Sequence, residues 1–256
     1  MPSKFSNLLA LVLVGVNWIT HAEALGITNW LTLCEDEATL QYLDSRYPGH
    51  AVPASAFLGK RIGKGSALHE YGTAAFSEIT CARPAYLQVV LRAGFNVLWS
   101  DMDTAWLTNF LDLAPSSRDV VMVDDSMEEH EENSGNICTG LMYFTPTDMV
   151  KSVLEEWHRV CMEDGSNDQT AWNKIFNAER RKKLQYHIMT KELYPNGHLL
   201  ETRRYSRNDT LSAWRPAWVH ANYRVGYHNK RQFLIDSSVW QGGNESDKPS
   251  CEVPDQ

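Results

Sequence analysis

Two carboxylates stand two residues apart in Asp101-Met102-Asp103, directly after the apolar run Asn96-Val97-Leu98-Trp99-Ser100. A run of that kind reads as a buried strand, so both carboxylates arrive at its C-terminal end, where open α/β sheets gather their ligands. Two ionised carboxylates that close repel each other unless a cation sits between or beside them. Oxygen ligands suit Mn²⁺ or Mg²⁺, ions whose remaining positions take phosphate oxygens. Two enzyme classes use such a pair. A phosphohydrolase of haloacid-dehalogenase type attacks with the first Asp and wants Thr or Val two places after the second, where this chain has Ala105. A nucleotide-sugar transferase uses the pair to hold a metal on a diphosphate and asks nothing of residue 105. The second reading fits better, and attack by Asp101 is the alternative.

The elements that must position this pair alternate between apolar runs and helical periodicity. Leu8–Val16 reads as a buried strand, Ile19–Leu25 as a helix stopped by Gly26, and Thr28–Cys34 as the next strand, ending beside Asp36. Together they make one βαβ unit. The same letters imitate a secretory signal, with Lys4, an apolar run and Ala22-Glu23-Ala24 at the place of a cleavage site. Cleavage there would destroy the unit, and the run is shorter than the roughly 20 residues that a bilayer needs. The expectation is a strand, with no transmembrane segment.

Downstream, helices are expected over Glu37–Arg46, Phe76–Ala93, Pro146 to about Met162, Asp168–Asn177 and Tyr227–Leu234. Strands are expected at Ala51–Pro53, Asn96–Ser100, Asp119–Val123, Ile137–Phe144 and Ala217–His220. Asp168 would cap its own helix. The Gly-rich stretch 57–74, with Lys60, Arg61 and Lys64, reads as a loop, and the acidic run Asp124–Glu132 as a solvated one. No repeat or linker divides the chain. A single α/β domain over 1–256, with its core over about 8–240 and a mostly parallel central sheet, is the economical organisation.

A domain of 256 residues can bury about 70 % of its unfolded surface, so it needs no disulfide or structural metal to fold. Cys34, Cys81, Cys138, Cys161 and Cys251 show no paired spacing and read mostly as small core residues, and most of the nine Trp read as core as well. The net charge of −8 argues against a nucleic-acid partner. It also requires a divalent ion, or a local cationic cluster, wherever a diphosphate is to bind.

A family resemblance runs from about Leu8 to Trp240. Its blocks are Val16-Asn17-Trp18, Leu25-Gly26-Ile27-Thr28-Asn29, Gly94 to Asp103, Asn136 to Tyr143, Asn167-Asp168-Gln169, and Val219-His220-Ala221-Asn222-Tyr223 with Gly226 and Lys230. In these the chain resembles the nucleotide-diphospho-sugar transferases of glycosyltransferase family 77, which include rhamnogalacturonan xylosyltransferases and arabinosyltransferases. The resemblance implies a GT-A, Rossmann-like fold and a nucleoside-diphosphate-sugar donor, with UDP as the expected nucleotide. It further implies Mn²⁺ or Mg²⁺ as cofactor, a sugar of the xylose, galactose or arabinose class, an acceptor hydroxyl on a glycan or glycoprotein, and retention of configuration. It assigns Asp101, Asp103 and His220 to the metal and Lys230 to the leaving diphosphate. Asn136, Thr139 and Gly140 would line the sugar pocket, and Asp168 and Gln169 would stand near the reacting carbon. Arg83 lies where the family often has a basic residue, more commonly Lys. Asn17 and Asp36 would contact the nucleotide. The chain as given lacks the stem and anchor usual in Golgi-resident members. The sequons Asn208-Asp209-Thr210 and Asn244-Glu245-Ser246 fit a secretory lumen, the expected location, with the cytoplasm as the alternative. A non-catalytic carbohydrate-binding protein on the same fold is the remaining alternative.

Overall fold

A computed structural model describes residues 8–12, 15–59, 72–114, 117–127, 135–176, 178–207 and 214–242. Lys60, Arg61, Lys64, the acidic residues 128–132 and both sequons lie outside the described residues.

The first βαβ unit forms as β1 (Leu8–Val12), α1 (Val16–Ala24) and β2 (Trp30–Cys34), the two strands parallel with Ala10 opposite Trp30; Val16, expected to end the first strand, instead opens the helix after Gly15. Next come α2 (Glu37–Arg46), β3 (Ala51–Pro53) and the single turn α3 (Ser55–Leu58). The expected helix over Phe76–Ala93 is instead two, α4 (Ala74–Thr80) and α5 (Arg83–Arg92), with a break at Cys81-Ala82. Pro84 is the cause. It has no N–H to give to the preceding turn and its ring crowds that turn, so it is tolerated only at a helix start, and a new helix begins around it.

The main sheet continues through β4 (Asn96–Ser100), β6 (Val120–Asp124), β7 (Ile137–Phe144) and β8 (Tyr186–Met189). Its order is β3-β2-β1-β4-β7-β6-β8. The sheet is mostly parallel, with one reversal. β7 runs antiparallel to both β4 and β6. Outside the sheet, β5 (Thr104–Trp106) and β9 (Trp218–His220) pair as a separate antiparallel ribbon. The remaining helices are α6 (Phe110–Leu113), α7 (Asp148–Asp164), α8 (Asp168–Ile175), α9 (Ala178–Lys183), α10 (Gly197–Arg207) and α11 (Tyr227–Asp236).

Each face of the sheet carries its own core. On one, α5, α7 and α8 pack Tyr86, Leu87, Trp157 and Trp172 onto Trp99, Met142 and Phe144. α7 shows why it lies there. Val150, Val153, Leu154, Trp157 and Cys161 recur at three- and four-residue spacing and are all buried. Thr147 caps its start, and Gly165, at φ 61°, supplies the left-handed residue that ends it. The other face buries Trp18, Trp30, Trp106 and Trp218 against Leu98 and Tyr143. Tryptophan is mainly a core residue here, as its size favours.

Two expectations change. Cys81 and Cys161 are joined by a disulfide, while Cys34 and Cys138 are buried thiols. The acidic run does not begin as a solvated loop: Asp124 ends β6, and Asp124, Asp125 and Ser126 are all buried.

Candidate active site

The chain beyond β4 is held against the sheet rather than released from it. The Asp101 amide donates to the Gly140 carbonyl at 2.7 Å, and Thr104 Oγ1 donates to the Asp101 carbonyl at 2.7 Å. Asp101 Oδ1 accepts from Arg83 Nη2 at 2.8 Å and from Trp99 Nε1 at 3.1 Å. Because β7 is reversed, its first residues lie beside the last ones of β4, with Ser100 opposite Leu141. That reversal brings Thr139 and Gly140 next to Asp101.

His220 arrives by a different route. In the β5–β9 ribbon Thr104 is opposite His220, and the Ala221 amide donates to the Asp103 carbonyl at 2.8 Å. The buried His220 ring places Nε2 at 3.3 Å from Asp103 Oδ1, with Nδ1 at 3.8 Å from Cys138 Sγ. From the second turn of α11, Lys230 Nζ donates to Asp103 Oδ2 at 2.6 Å. Burial alone would raise the Asp103 pKa. His220, and after it Lys230, outweigh that and hold its carboxyl well below the usual carboxylate range. The same contact raises Lys230 against the opposing effect of its own burial.

Asp101, Asp103 and His220 each offer a ligand atom within 4.8 Å of the others. Two carboxylate oxygens and an imidazole nitrogen suit Mn²⁺ or Mg²⁺. Gly140 keeps the cradle open, since a Cβ there would stand 2.7 Å from His220 Cε1 and 3.0 Å from Asp101 Oδ2. The residues present fit the ion.

Arg83, the first residue of α5, is buried and ties two carboxylates together. One guanidinium nitrogen reaches Asp101; the other donates to the Thr139 carbonyl at 2.6 Å and lies 2.8 Å from Asp168 Oδ2. The Asp168 contact is an ion pair by distance, but its atoms lack hydrogen-bond alignment. The guanidinium also lies over the Trp99 ring, 4.8 Å from its centroid. A lysine ammonium could not serve both carboxylates, the carbonyl and the ring at once. Burial opposes the charge on Arg83, and Asp101 and Asp168 together more than restore it. Asp168 itself is raised by its burial, which Arg83 only partly offsets.

Asp168 does not cap α8. Asn167 does, accepting from the Thr170 amide at 2.8 Å, and Asp168 is the buried first helical residue. Gln169 follows and bridges two strands, accepting from the Thr139 amide at 3.3 Å and donating to Asp125 Oδ2 at 2.9 Å. Asp125 is a site residue that the sequence reading passed over. It also accepts from Asn222 Nδ2 at 2.8 Å, and burial raises its pKa. Asn136 closes this side, donating from Nδ2 to the Asp125 carbonyl at 3.1 Å. The signal for Asp125 was its place just past a buried strand, the same place that singled out Asp101. The acidic run around it hid that signal.

Two candidates stand apart from this cluster. Asp36 caps α2, with both oxygens engaged by Thr39. Asn17 accepts from the Gln241 amide at 2.6 Å.

The sequence profile described as nucleotide-diphospho-sugar transferase matches residues 25–234. Arabidopsis thaliana UDP-D-xylose:L-fucose alpha-1,3-D-xylosyltransferase 3 is 26% identical over 233 residues, covering 82% of this chain and 58% of the relative. Dictyostelium discoideum UDP-galactose:fucoside alpha-3-galactosyltransferase is 21% identical over 190 residues, covering 66% of this chain and 29% of its own. The chain thus spans only part of the length of the curated relatives it matches. Among solved structures, the WbbM bifunctional glycosyltransferase superposes with a TM-score of 0.53 at 13% identity, covering 94% of this chain and 51% of its own. The galactosyltransferase LgtC, in complex with donor and acceptor sugar analogs, does so with 0.50 at 13% identity, covering 93% and 98%. These likenesses carry the fold, which is of GT-A type. With more than half its length matched by one family, the chain belongs to the nucleotide-diphospho-sugar transferases.

Proposed function

We propose that the chain is a metal-dependent, retaining glycosyltransferase that moves a sugar of the xylose, galactose or arabinose class from a UDP-sugar to a hydroxyl of a glycan or glycoprotein acceptor. The observation that carries this is the convergence of Asp101, Asp103 and His220 from two separate sheets, with Lys230 on Asp103. Asp101, Asp103 and His220 would hold Mn²⁺ or Mg²⁺, and a bound divalent ion would supply Lewis acidity to the departing diphosphate. Lys230 is within reach to exchange Asp103 for a diphosphate oxygen, adding a cation where negative charge develops. Asn17 and Asp36, beside the first two strands, would lie under the nucleotide.

The charge count supports a cation. Asp101, Asp103 and Asp168 pair with Arg83 and Lys230, and Asp125 stands beside them on Gln169 and Asn222, an excess of carboxylates that a divalent ion would balance. Thr139, Gly140, Asn136, Gln169 and Asp168 would surround the sugar. Asp168 is engaged by Arg83, and so is better suited to fixing geometry than to attack. Attack by the acceptor on the face the diphosphate leaves asks no nucleophile of the protein. Trapping of a glycosyl adduct on Asp168 or Asp125 would reverse that preference. The disulfide favours a secretory lumen, where such bonds form and persist. No described helix is long and apolar enough to cross a membrane.

The test is calorimetric titration of UDP with and without Mn²⁺, beside Asp103→Ala. The expected outcome is metal-dependent binding that the variant weakens by about 100-fold or more, beyond the range typical of outer-shell changes. Binding of neither UDP nor GDP would overturn the reading in favour of a non-catalytic protein. Phosphomonoester hydrolysis abolished by Asp101→Asn would overturn it in favour of a phosphohydrolase.

A further inference from the structure

The Cys81–Cys161 disulfide, with Cα atoms 5.5 Å apart, lies at the corner where α5, α7 and α8 meet. Cys81 sits in the break before α5, two residues from Arg83. Cys161 is in the last turn of α7, and the turn that follows leads to Asp168. Both sulfurs rest against one carbonyl oxygen, that of Ser166, at 3.2 and 3.6 Å. His158, also on α7, lies 2.9 Å from the Cys81 carbonyl through Nδ1, which must carry the proton because a carbonyl only accepts. Trp157 Nε1 donates to the Asp168 carbonyl at 2.8 Å. Thus α7 grips Cys81, in the break before α5, and the first residue of α8, and the disulfide closes this grip covalently.

On the inner side of the same corner is the Arg83–Asp168 ion pair. The pair does not set its own geometry: its 2.8 Å approach lacks hydrogen-bond alignment, and α5 starts without a side-chain cap. The backbone at each end must therefore be held from outside. We propose that the Cys81–Cys161 disulfide is a positioning element for the donor-sugar site, holding Arg83 at the start of α5 against Asp168 at the start of α8. This rests on the reading of Arg83 and Asp168 as donor-site residues. Asp103, His220 and Lys230 hang on β5, β9 and α11, away from the corner, and Asp101, which Arg83 also touches, is held independently by its amide bond to Gly140 and by Trp99 Nε1. The bridge should therefore act on turnover and leave nucleotide binding alone.

The experiment compares the wild type with the Cys81→Ser/Cys161→Ser double variant in three readouts. Hydrogen exchange is expected to be about tenfold faster or more for amides of residues 82–87 and 166–171, with β4 and β9 unchanged. The affinity for UDP with Mn²⁺ is expected to stay within about twofold. The kcat for UDP-sugar hydrolysis or transfer is expected to fall about tenfold or more, because small displacements of reacting groups are costly. In a cycle with Arg83→Lys, the loss caused by the lysine should shrink once the bridge is gone. Unchanged exchange in both segments, or unchanged kcat in a folded variant that merely melts earlier, overturns the proposal. If the variant does not fold, wild-type protein reduced with dithiothreitol below its melting temperature gives the same readouts. If wild-type protein neither binds UDP nor turns over a UDP-sugar, the functional reading fails, and the exchange pattern alone decides whether the bridge holds the two helix starts together.

Discussion

At Gly140 the site leaves no room for a methyl group. A Cβ would press on His220 Cε1 and Asp101 Oδ2, neither of which can retreat from its strand end. Gly140→Ala is therefore expected to weaken Mn²⁺ binding about tenfold or more while thermal unfolding shows the fold retained. Arg83 makes the complementary case. Arg83→Lys keeps the charge and loses the fork, so Asp101 and Asp168 can no longer both be served. Stability is expected to drop by about 1–3 kcal/mol, the range for leaving a buried polar group unsatisfied, measured by urea unfolding. The buried thiols give a pH signature. Burial raises the Cys34 pKa from 9.0 to about 11, against a hydrogen bond from Thr32 that lowers it. A folded pKa above the unfolded one stabilises fully below pH 9.0, and that contribution is lost as pH rises toward 11. The urea midpoint of the wild type should fall more steeply across that window than that of Cys34→Ala. Cys138 is shifted upward by burial as well, and the native protein at pH 8 should alkylate at neither of these two positions.

Among the elements, those with local signals at both ends were legible. α2 matches its expected span because Asp36 caps one end and Pro48 follows the other. β4 and β7 match because their apolar runs are bounded by polar residues. Elements whose cause lies in tertiary packing were not. β8 is a short edge strand of half-buried residues that forms because β6 is there to pair with it. α10 begins at Gly197, where Asn222 and His220 approach so closely that a Cβ would stand 2.5 Å from the Asn222 carbonyl oxygen. The disulfide joins residues 80 apart, and nothing in that spacing marks the pair. Of the candidate metal site, the Asp101 and Asp103 pair was legible from its place at a strand end, whereas His220 came only with the family resemblance, because the β5–β9 ribbon that brings it there is a long-range pairing. The polar network on Asp125 was not legible, because its partners Asn136, Gln169 and Asn222 come from three separate segments of the chain. One cap is worth testing at this scale. Asn167→Ala is expected to cost about 1 kcal/mol, read by urea unfolding, and to loosen Asp168 beside it.

Across the whole molecule, the large sheet and the site depend on different parts of the chain. The sheet takes its last strand, β8, from residues ending at Met189, whereas β9, α11 and Lys230 all lie beyond it. Asp103 and the lysine that pairs with it are 127 residues apart. During synthesis the N-terminal portion emerges first and can begin to fold. A nascent chain can therefore complete its central sheet, with Asp101 and Asp103 already at the end of β4, while the ribosome still holds His220 and Lys230. Such a chain would hold its sheet before the candidate metal site is complete, because His220 and Lys230 follow the last sheet strand. Ribosome-stalled chains of increasing length would display this order directly, becoming resistant to protease before they become able to retain Mn²⁺ and UDP.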